Sequence, residues 1–146
     1  MSETIEYRYL RATDYDDIVR VWNEAKLDYR PRGRDNRENL TAELRRSPRF
    51  SLGAFAEGKL IGTIVGTCDG RKGCINRLAV TPEYRSRDIA KKLISLCEKE
   101  LKAAGAKVLF CLIEDDNQTS IKLFEKAGYL RGDNIVYLSK RDHPDL

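Results

Sequence analysis

The apolar residues at the start of the chain alternate with polar ones and then change to helical spacing. Residues 5–11 alternate at a period of two, which predicts a strand. Thr13 and Asp16 then form an acidic variant of a capping box, which predicts the start of a helix. The apolar residues of this helix recur on one face: Ile18, Val19, Trp22 and Ala25. After a polar, basic loop at 28–36, the pattern predicts a second short helix over 38–46.

Beyond Pro48 the pattern is that of strands joined by short turns. Residues 50–56 and 60–68 flank a turn at Glu57-Gly58, and this arrangement predicts a hairpin. A second glycine-containing turn leads into a strand over 74–80. The middle of the chain therefore predicts three consecutive antiparallel strands.

Helices and strands alternate in the rest of the chain. An amphipathic helix follows Arg85, and the apolar run at 108–113 is typical of a strand buried on both faces. A helix capped by Asn117 or Thr119 comes next, and residues 134–140 predict a last strand. The order predicts an α/β (α+β) fold, with a mixed central sheet of about six strands flanked by about four helices.

Length, composition and charge restrict the class of protein. A chain of 146 residues fits one domain over 1–146, and no apolar run approaches the roughly 18 residues that span a bilayer. The N-terminus lacks the basic region and apolar core of a signal peptide, so we expect a cytoplasmic protein without membrane contact. The net charge of +4 is compatible with an anionic ligand, but it is too small to indicate a nucleic-acid partner.

The four cysteines form no C-x-x-C pair, and the single histidine lies near the C-terminus. Zinc is normally held by clustered Cys and His, so we expect no metal site. Cys68 and Cys74 could face each other across a hairpin as a disulfide, but reduced thiols are expected in the cytoplasm.

The stretch LAVTPEYRSRDIAKKLI, residues 78–94, is the first candidate for chemistry. It places a turn between an apolar strand and a helix N-terminus, whose unpaired N–H groups and peptide dipoles favour a phosphate. Because a strand, a turn and a helix occur in most α/β proteins, periodicity alone leaves a purely structural interpretation open.

The residue order in this stretch resembles the signature of the GNAT superfamily of N-acetyltransferases, V-x-P-x-x-R followed by R/Q-x-x-G-x-G/A. The matching residues are Val80, Pro82, Arg85 and Ala90. A second segment is similar to the family's N-x-x-A-x-x-x-Y-x-x-x-G-F/Y, with Asn117 and Ala127-Gly128-Tyr129 in place. The resemblance spans nearly the full chain.

The resemblance implies an acetyl-CoA site and no metal. It assigns the pyrophosphate to the backbone of the loop and first helical turn: Arg85, Ser86, Arg87, Asp88, Ile89 and Ala90. The pantetheine arm is expected between the splayed fourth and fifth strands, against the main chain of Leu78, Ala79 and Val80, with Asn117 and Phe124 on its other side. The implied activity is N-acetyl transfer to a primary amine of a small molecule or protein, by direct attack in a ternary complex.

Asp88 stands where the family pattern has glycine. Its carboxylate either points into solvent and leaves the backbone amide to the phosphate, or repels the phosphate and weakens binding. A carboxylate is also favourable in the first turn of a helix, so Asp88 is equally interpretable as a capping residue.

The acid and base of the transfer are less well defined by the sequence. Phe124 occupies the position where the family often has a tyrosine acid, which leaves unassisted departure of the thiolate, or Tyr129 or Tyr137, as alternatives. Glu114, after the fifth strand, is the candidate base, and Asn76, on the fourth, is a candidate for orienting a water. Each has a plain structural alternative, as a packed aromatic or a solvated group.

The loop YRPRGRD is the candidate acceptor site, because Arg30, Arg32 and Arg34 can bind an acceptor that carries a carboxylate or phosphate; binding of the adenosine-side phosphates of the cofactor is the other possibility for them. A solvated basic loop is the alternative.

Two other functions compete with N-acetyl transfer. One is an inactive or weak acyl-CoA-binding interaction module, which the changes at Asp88 and Phe124 favour. The other is a small RNA-binding domain, although the chain lacks the interleaved aromatic residues expected of such a domain. A monomer or a homodimer fits the sequence equally well.

Overall fold

The computed structural model describes residues 4–144, which contain five strands and four α-helices. The strands are β1 (Ile5–Tyr9), β2 (Ser51–Ala56), β3 (Lys59–Cys68), β4 (Lys72–Val80) and β5 (Val108–Phe110). The helices are α1 (Tyr15–Glu24), α2 (Arg37–Arg46), α3 (Ile89–Ala103) and α4 (Gln118–Lys126). Short 3-10 turns at Ala12–Asp14 and Pro82–Tyr84 lead towards α1 and α3.

The sheet has the strand order β1-β2-β3-β4-β5, and its first four strands are antiparallel neighbours. β5 pairs with β4 in parallel through only three residue pairs, which run from Lys72 opposite Val108 to Cys74 opposite Phe110. This mixed sheet confirms the predicted fold class, with five strands instead of about six.

The start of α1 differs from the predicted capping box of Thr13 and Asp16. Thr13 lies inside the 3-10 turn, and α1 begins at Tyr15. Asp14 holds this junction instead, because its Oδ2 accepts 2.7 and 2.8 Å hydrogen bonds from the Arg11 amide and from Arg8 Nη1. The guanidinium and the amide together lower the pKa of the Asp14 carboxyl, in spite of its burial.

Helices cover both faces of the sheet. α3 packs on one face with Ile89, Leu93 and Cys97 buried, and α1 and α2 cover the other. The approach of α3 is close at Gly66, where an added Cβ would lie 2.8 Å from Cys97 Sγ and 2.9 Å from the Phe50 carbonyl oxygen. The sheet therefore holds the N-terminus of α3 in a fixed place beside the end of β4.

Two predictions about the C-terminal half are wrong. β5 is not buried on both faces, since Val108 and Phe110 are 51% and 37% exposed at the edge of the sheet. Residues 134–140 form no strand, and Ile135 and Leu138 are 76% and 86% exposed. The physical reason is the same in both cases, because an apolar sequence favours burial but does not determine which part of a chain will cover it.

Cys68 and Cys74 do not form the disulfide that a hairpin could have allowed. Cys68 lies opposite Gly73, and Cys74 opposite Thr67, so the two cysteines do not face each other, and both are free thiols.

Within residues 4–144, no helix combines the length and the apolar character that crossing a membrane requires. The prediction about a signal peptide concerns the first four residues, of which 1–3 lie outside the described part of the chain.

Candidate active site

The loop between β4 and α3 has the backbone of a glycine loop although it contains no glycine. Ser86 has φ 65° and Asp88 has φ 60°, so both residues adopt the left-handed conformation that glycine adopts most easily. Left-handed residues that alternate with others along a loop turn successive N–H groups to one side and form a concave anion-binding nest. The N-terminus of α3, which begins at Ile89, adds its own unpaired N–H groups beside this loop.

Asp88 does not cap α3. It occupies the N-cap position, but its side chain makes no capping hydrogen bond and is exposed. The first N–H groups of the helix are therefore not occupied by this carboxylate. The exposure of Asp88 is compatible with both expectations for its carboxylate, that it leaves the backbone amide to the phosphate and that it repels the phosphate.

The side chains of Arg85 and Arg87 contact the ends of the neighbouring elements and the loop itself. Arg85 Nε donates a 3.2 Å hydrogen bond to the carbonyl oxygen of Val80, and its Nη2 donates a 3.4 Å bond to that of Ala25. The guanidinium of Arg87 stacks 4.8 Å above the ring of Tyr84. These contacts tie the loop to the end of β4 and to the end of α1.

Replacement of Ser86 by glycine is expected to stabilise the protein. A non-glycine residue in the left-handed region costs about 1–2 kcal/mol, and glycine avoids this cost but loses about 0.5–1 kcal/mol of backbone entropy on folding. We expect a net gain of about 0.5–1 kcal/mol and a melting temperature about 2–4 °C higher. The matched control is Ser95→Gly on the exposed side of α3, which should lower the melting temperature. Equal shifts in the two variants would contradict the strain at Ser86.

The region beyond the point where β4 and β5 separate is called the β4–β5 cleft. Their pairing ends at Cys74 and Phe110, whereas β4 continues to Val80 without a neighbour on that side. β4 also contains a bulge, because Thr63 pairs with Ala79 and Val65 pairs with Asn76, so that Ile64 faces two residues of β4. The cleft therefore leads from the last β4–β5 pair to the loop at the start of α3.

Asn117 and Phe124 lie on α4, which follows β5. The Asn117 side chain caps this helix by accepting a 3.2 Å hydrogen bond from the Ser120 amide. Phe124 is buried and meets the ring of Tyr129 edge to face, with 5.1 Å between ring centroids. Both predicted cofactor contacts thus have a structural role in α4.

The proton of Tyr129 is already donated within the protein. Its hydroxyl makes a 2.8 Å hydrogen bond to Glu98 Oε2 on α3. Burial and this neighbouring carboxylate raise the pKa of Tyr129, which makes the hydroxyl a poorer acid. The geometry agrees with the alternative of a packed aromatic whose hydroxyl is satisfied.

Asn76 and Glu114 are positioned beyond the last β4–β5 pair, on the two diverging chains. Asn76 is half-buried, and its Oδ1 accepts a 3.4 Å hydrogen bond from the Cys74 thiol. Glu114 is exposed, and its carbonyl oxygen accepts a 2.9 Å bond from the Asn117 amide. The carboxylate of Glu114 is therefore accessible to water.

The three arginines predicted to bind an acceptor lie on a loop that is folded around Arg30. The Arg30 carbonyl oxygen accepts hydrogen bonds from the amides of Gly33 and Asp35, at 3.1 and 3.0 Å. The side chains of Arg32 and Arg34 are exposed, and that of Arg30 is partly covered. The sequence analysis missed Asp35, which is buried in this loop, and its partner Arg77 on β4, because no local pattern links residues so far apart.

The described residues contain no group of three or more His, Cys, Asp and Glu side chains arranged to hold a metal ion. What they do provide is a loop with two left-handed residues at the N-terminus of α3, a stretch of β4 without a β5 partner and a basic loop joined to β4 by Arg77. This combination suits a ligand with a phosphate group and an extended arm.

The model of the acetyltransferase (GNAT) family matches residues 15–129, which include the loop, the cleft and α4. The chain therefore belongs to this family, and it is an acyltransferase. The resemblance seen in the two sequence motifs is thereby confirmed.

Individual relatives agree with this assignment. The chain is 34% identical over 137 residues to an acetyltransferase of Sodalis glossinidius, covering 94% of this chain and 95% of the relative. Among solved structures, it is similar to the PaiA N-acetyltransferase of Thermoplasma acidophilum in complex with coenzyme A, with a TM-score of 0.77, 26% identity, and coverage of 90% and 93% of the two chains. The aminoglycoside N-acetyltransferase AAC(6')-Iy in complex with CoA shares the fold, with a TM-score of 0.74, 16% identity and 97% coverage of both chains.

Proposed function

We propose that the protein transfers an acetyl group from acetyl-CoA to a primary amine of a small molecule or protein, by direct attack in a ternary complex. The observation that carries the proposal is the left-handed backbone at Ser86 and Asp88, at the start of α3 and beside the β4–β5 cleft. The PaiA N-acetyltransferase, which has this fold, was solved with coenzyme A.

The charge of the loop supports a pyrophosphate ligand. Between residues 85 and 92 there are four basic side chains and one acidic one, Asp88. The backbone N–H groups of Arg87, Asp88, Ile89 and Ala90 would hold the pyrophosphate, with Arg85 and Ser86 completing the loop. The exposed Asp88 carboxylate leaves these main-chain donors accessible.

The β4–β5 cleft would hold the pantetheine arm. Leu78, Ala79 and Val80 lie in the part of β4 that has no β5 partner, so main-chain groups there can pair with the amides of the arm. Asn117 and Phe124 of α4 would flank the arm on its other side. When bound, acetyl-CoA supplies a thioester carbonyl for the amine to attack and a thiolate that leaves.

The cysteines favour direct attack over transfer through an acyl-cysteine. Burial raises the pKa of Cys74, that of Cys97 to about 12 and that of Cys111 to about 11. Near neutral pH these groups are thiols, and the thiol is a poor nucleophile compared with the thiolate. These three thiols are therefore poorly suited to form an acyl-cysteine, which favours direct attack by the amine.

The amine must lose a proton before it attacks, since a lysine-type amine has a pKa of about 10.4. Glu114, exposed beyond β5, would take this proton through water, and Asn76 would orient the water. A backbone N–H of β4 near Leu78 would stabilise the charge that develops on the carbonyl oxygen. Because Tyr129 donates to Glu98, we propose that the thiolate, with a pKa of about 8.5, leaves without a general acid.

Two measurements test this function together. The first is thermal unfolding with acetyl-CoA and, as a control, with the thioester N,S-diacetylcysteamine, which lacks the phosphates and has no free amine. At about 100 times its Kd, acetyl-CoA should add about 2.7 kcal/mol of stability, whereas the control thioester should add little. The second is thiol release with a panel of amines: diamines, an aminoglycoside, a diamino acid and peptides with free N-termini. Absence of any shift, or of turnover with every amine, would overturn the proposal.

The loop arginines are expected to select an acidic acceptor. Replacement of Arg30, Arg32 and Arg34 by glutamine should raise the KM for amines that carry a carboxylate or phosphate by about tenfold or more, because charge-assisted hydrogen bonds are lost. The KM for a neutral amine of similar size is the internal control and should change little. Steady-state kinetics on the two amines measure the difference, and equal effects on both would refute selection by charge.

A further inference from the structure

The side chain of Arg77 links β4 to the loop between α1 and α2. Its Nη2 donates a 2.5 Å hydrogen bond to Asp35 Oδ2, and its Nη1 donates a 3.0 Å bond to the carbonyl oxygen of Asp28. The two charged side chains are 18% and 11% exposed, so this ion pair is largely shielded from water. One guanidinium thereby contacts both ends of the loop.

Asp35 also organises the loop from within. The same Oδ2 accepts a 2.7 Å hydrogen bond from the Arg30 amide, and Arg34 Nε lies 4.0 Å away. The Asp35 carbonyl oxygen accepts a 3.1 Å bond from the hydroxyl of Tyr15 on α1. Asp35 is therefore the point at which the loop, α1 and β4 are joined.

Arg77 stands at an unusual point of β4. It lies at the bulge opposite Ile64 and has φ 46°, a conformation that a side-chain-bearing residue adopts only when its surroundings enforce it. The Thr63 hydroxyl donates a 3.3 Å hydrogen bond to the Arg77 carbonyl oxygen and itself accepts a 3.2 Å bond from Trp22 Nε1. Thr63 and Trp22 thus hold the main chain of the bulge, and Asp35 and Asp28 hold its side chain.

We propose that the ion pair between Arg77 and Asp35 is a positioning device for the acceptor amine. It holds the basic loop at a fixed place relative to the β4 bulge, and the residue after Arg77 is Leu78, where the thioester carbonyl is expected. The distance between the bound amine and the thioester would then depend on this pair. The inference rests on the proposed function, because it takes the end of β4 as the acetyl-CoA site.

The test compares Asp35→Asn, Arg77→Gln and the double variant with wild type, using the amine of the panel with the highest turnover. The kcat/KM for this amine should fall about tenfold or more in each single variant, because a displacement of about 1 Å is enough to cost much of the rate. The Kd of acetyl-CoA should stay within about twofold. The loss in the double variant should be smaller than the product of the two single losses, since both single variants break the same ion pair.

A second ion pair, whose aspartate is as buried as Asp35 and whose arginine is 36% exposed against 18% for Arg77, provides the control. Arg8 and Asp14 are 2.8 Å apart near β1, at the opposite edge of the sheet, and the Asp14 side chain is 11% exposed, as is that of Asp35. Asp14→Asn should lower the melting temperature as Asp35→Asn does, but it should leave kcat/KM unchanged. A similar fall of kcat/KM in both variants would show that the pair acts only through overall stability and would overturn the inference.

Cleavage by trypsin after Arg32 tests the same inference without any activity. Arg32 is exposed and precedes Gly33 in the middle of the loop, so release of the loop should speed this cleavage about tenfold in Asp35→Asn and Arg77→Gln, but not in Asp14→Asn. If wild type turns over no amine, the proposed function fails, while the trypsin rates still show whether the pair holds the loop. Unchanged cleavage, or an unchanged kcat/KM in an active enzyme, would overturn the inference.

Discussion

Replacement of Asp88 by glycine should tighten the binding of acetyl-CoA about tenfold, because it removes a negative charge beside the pyrophosphate and keeps the main chain that binds it. The left-handed backbone at this position, with φ 60°, is one that glycine adopts without strain. Since the carboxylate makes no capping hydrogen bond, the change removes no contact within α3. Calorimetric titration of both proteins with acetyl-CoA at low and high salt measures the effect.

The control for this prediction is Asp88→Asn, which removes the charge but keeps a side chain that tolerates the left-handed region. We expect Asp88→Asn to tighten binding about as much as Asp88→Gly, and the gain in both to shrink at high salt. A gain in the glycine variant alone would show that backbone freedom, not charge, limits binding. Weaker binding in both variants would mean that the carboxylate itself contributes to the site.

Replacement of Trp22 by alanine should destabilise the protein by about 3–5 kcal/mol, the usual cost of removing a fully buried large aromatic side chain. The indole is 0% exposed in the core between the sheet and α1. Its ring centroid also lies 5.3 Å from that of Tyr29, with the rings tilted by 57°, and 5.8 Å from the guanidinium of Arg77. We expect the melting temperature to fall by about 10 °C or more, as measured by calorimetry.

Two milder variants separate packing from hydrogen bonding at this position. Thr63→Val should cost about 1–3 kcal/mol, because the buried Trp22 N–H then loses its acceptor. In the double variant Trp22→Phe with Thr63→Val neither polar partner remains, so the loss should be smaller than the sum of the two single losses. Additive losses would show that the hydrogen bond contributes nothing beyond packing.

The elements that the sequence predicted well are those whose signals are local. The hairpin of β2 and β3 turns at Glu57 and Gly58, which have φ 51° and 80°, as expected from a two-residue turn that favours glycine. Asn117 caps α4 by accepting the Ser120 amide, as its position before the apolar stripe suggested. The exposed edge of β5 was not predictable, because the hydrophobicity of 108–113 is the same whether or not another element covers it.

In the candidate site, too, some features were predictable from the sequence and others were not. The position of the loop at the start of α3 was predictable from its motif, but the left-handed backbone at Ser86 and Asp88 was not, since neither residue type requires it. The pairing of Arg77 with Asp35 joins residues 42 positions apart and depends on a β4 bulge that shows no local signal. Contacts of this kind follow from tertiary packing and only a structure reveals them.

The three residue pairs that join β5 to β4 also determine how easily this edge of the sheet opens locally. A strand held by so few main-chain bonds opens locally at a much smaller free energy than the long β2–β3 hairpin. The amides of β5 should therefore exchange with deuterium through local opening, whereas those of β3 should exchange only through global unfolding. The cleft can therefore widen to admit a long, flexible ligand while the rest of the sheet stays folded. Binding that bridges the two strands should then slow exchange at residues 108–110 more than at any place in β2 or β3.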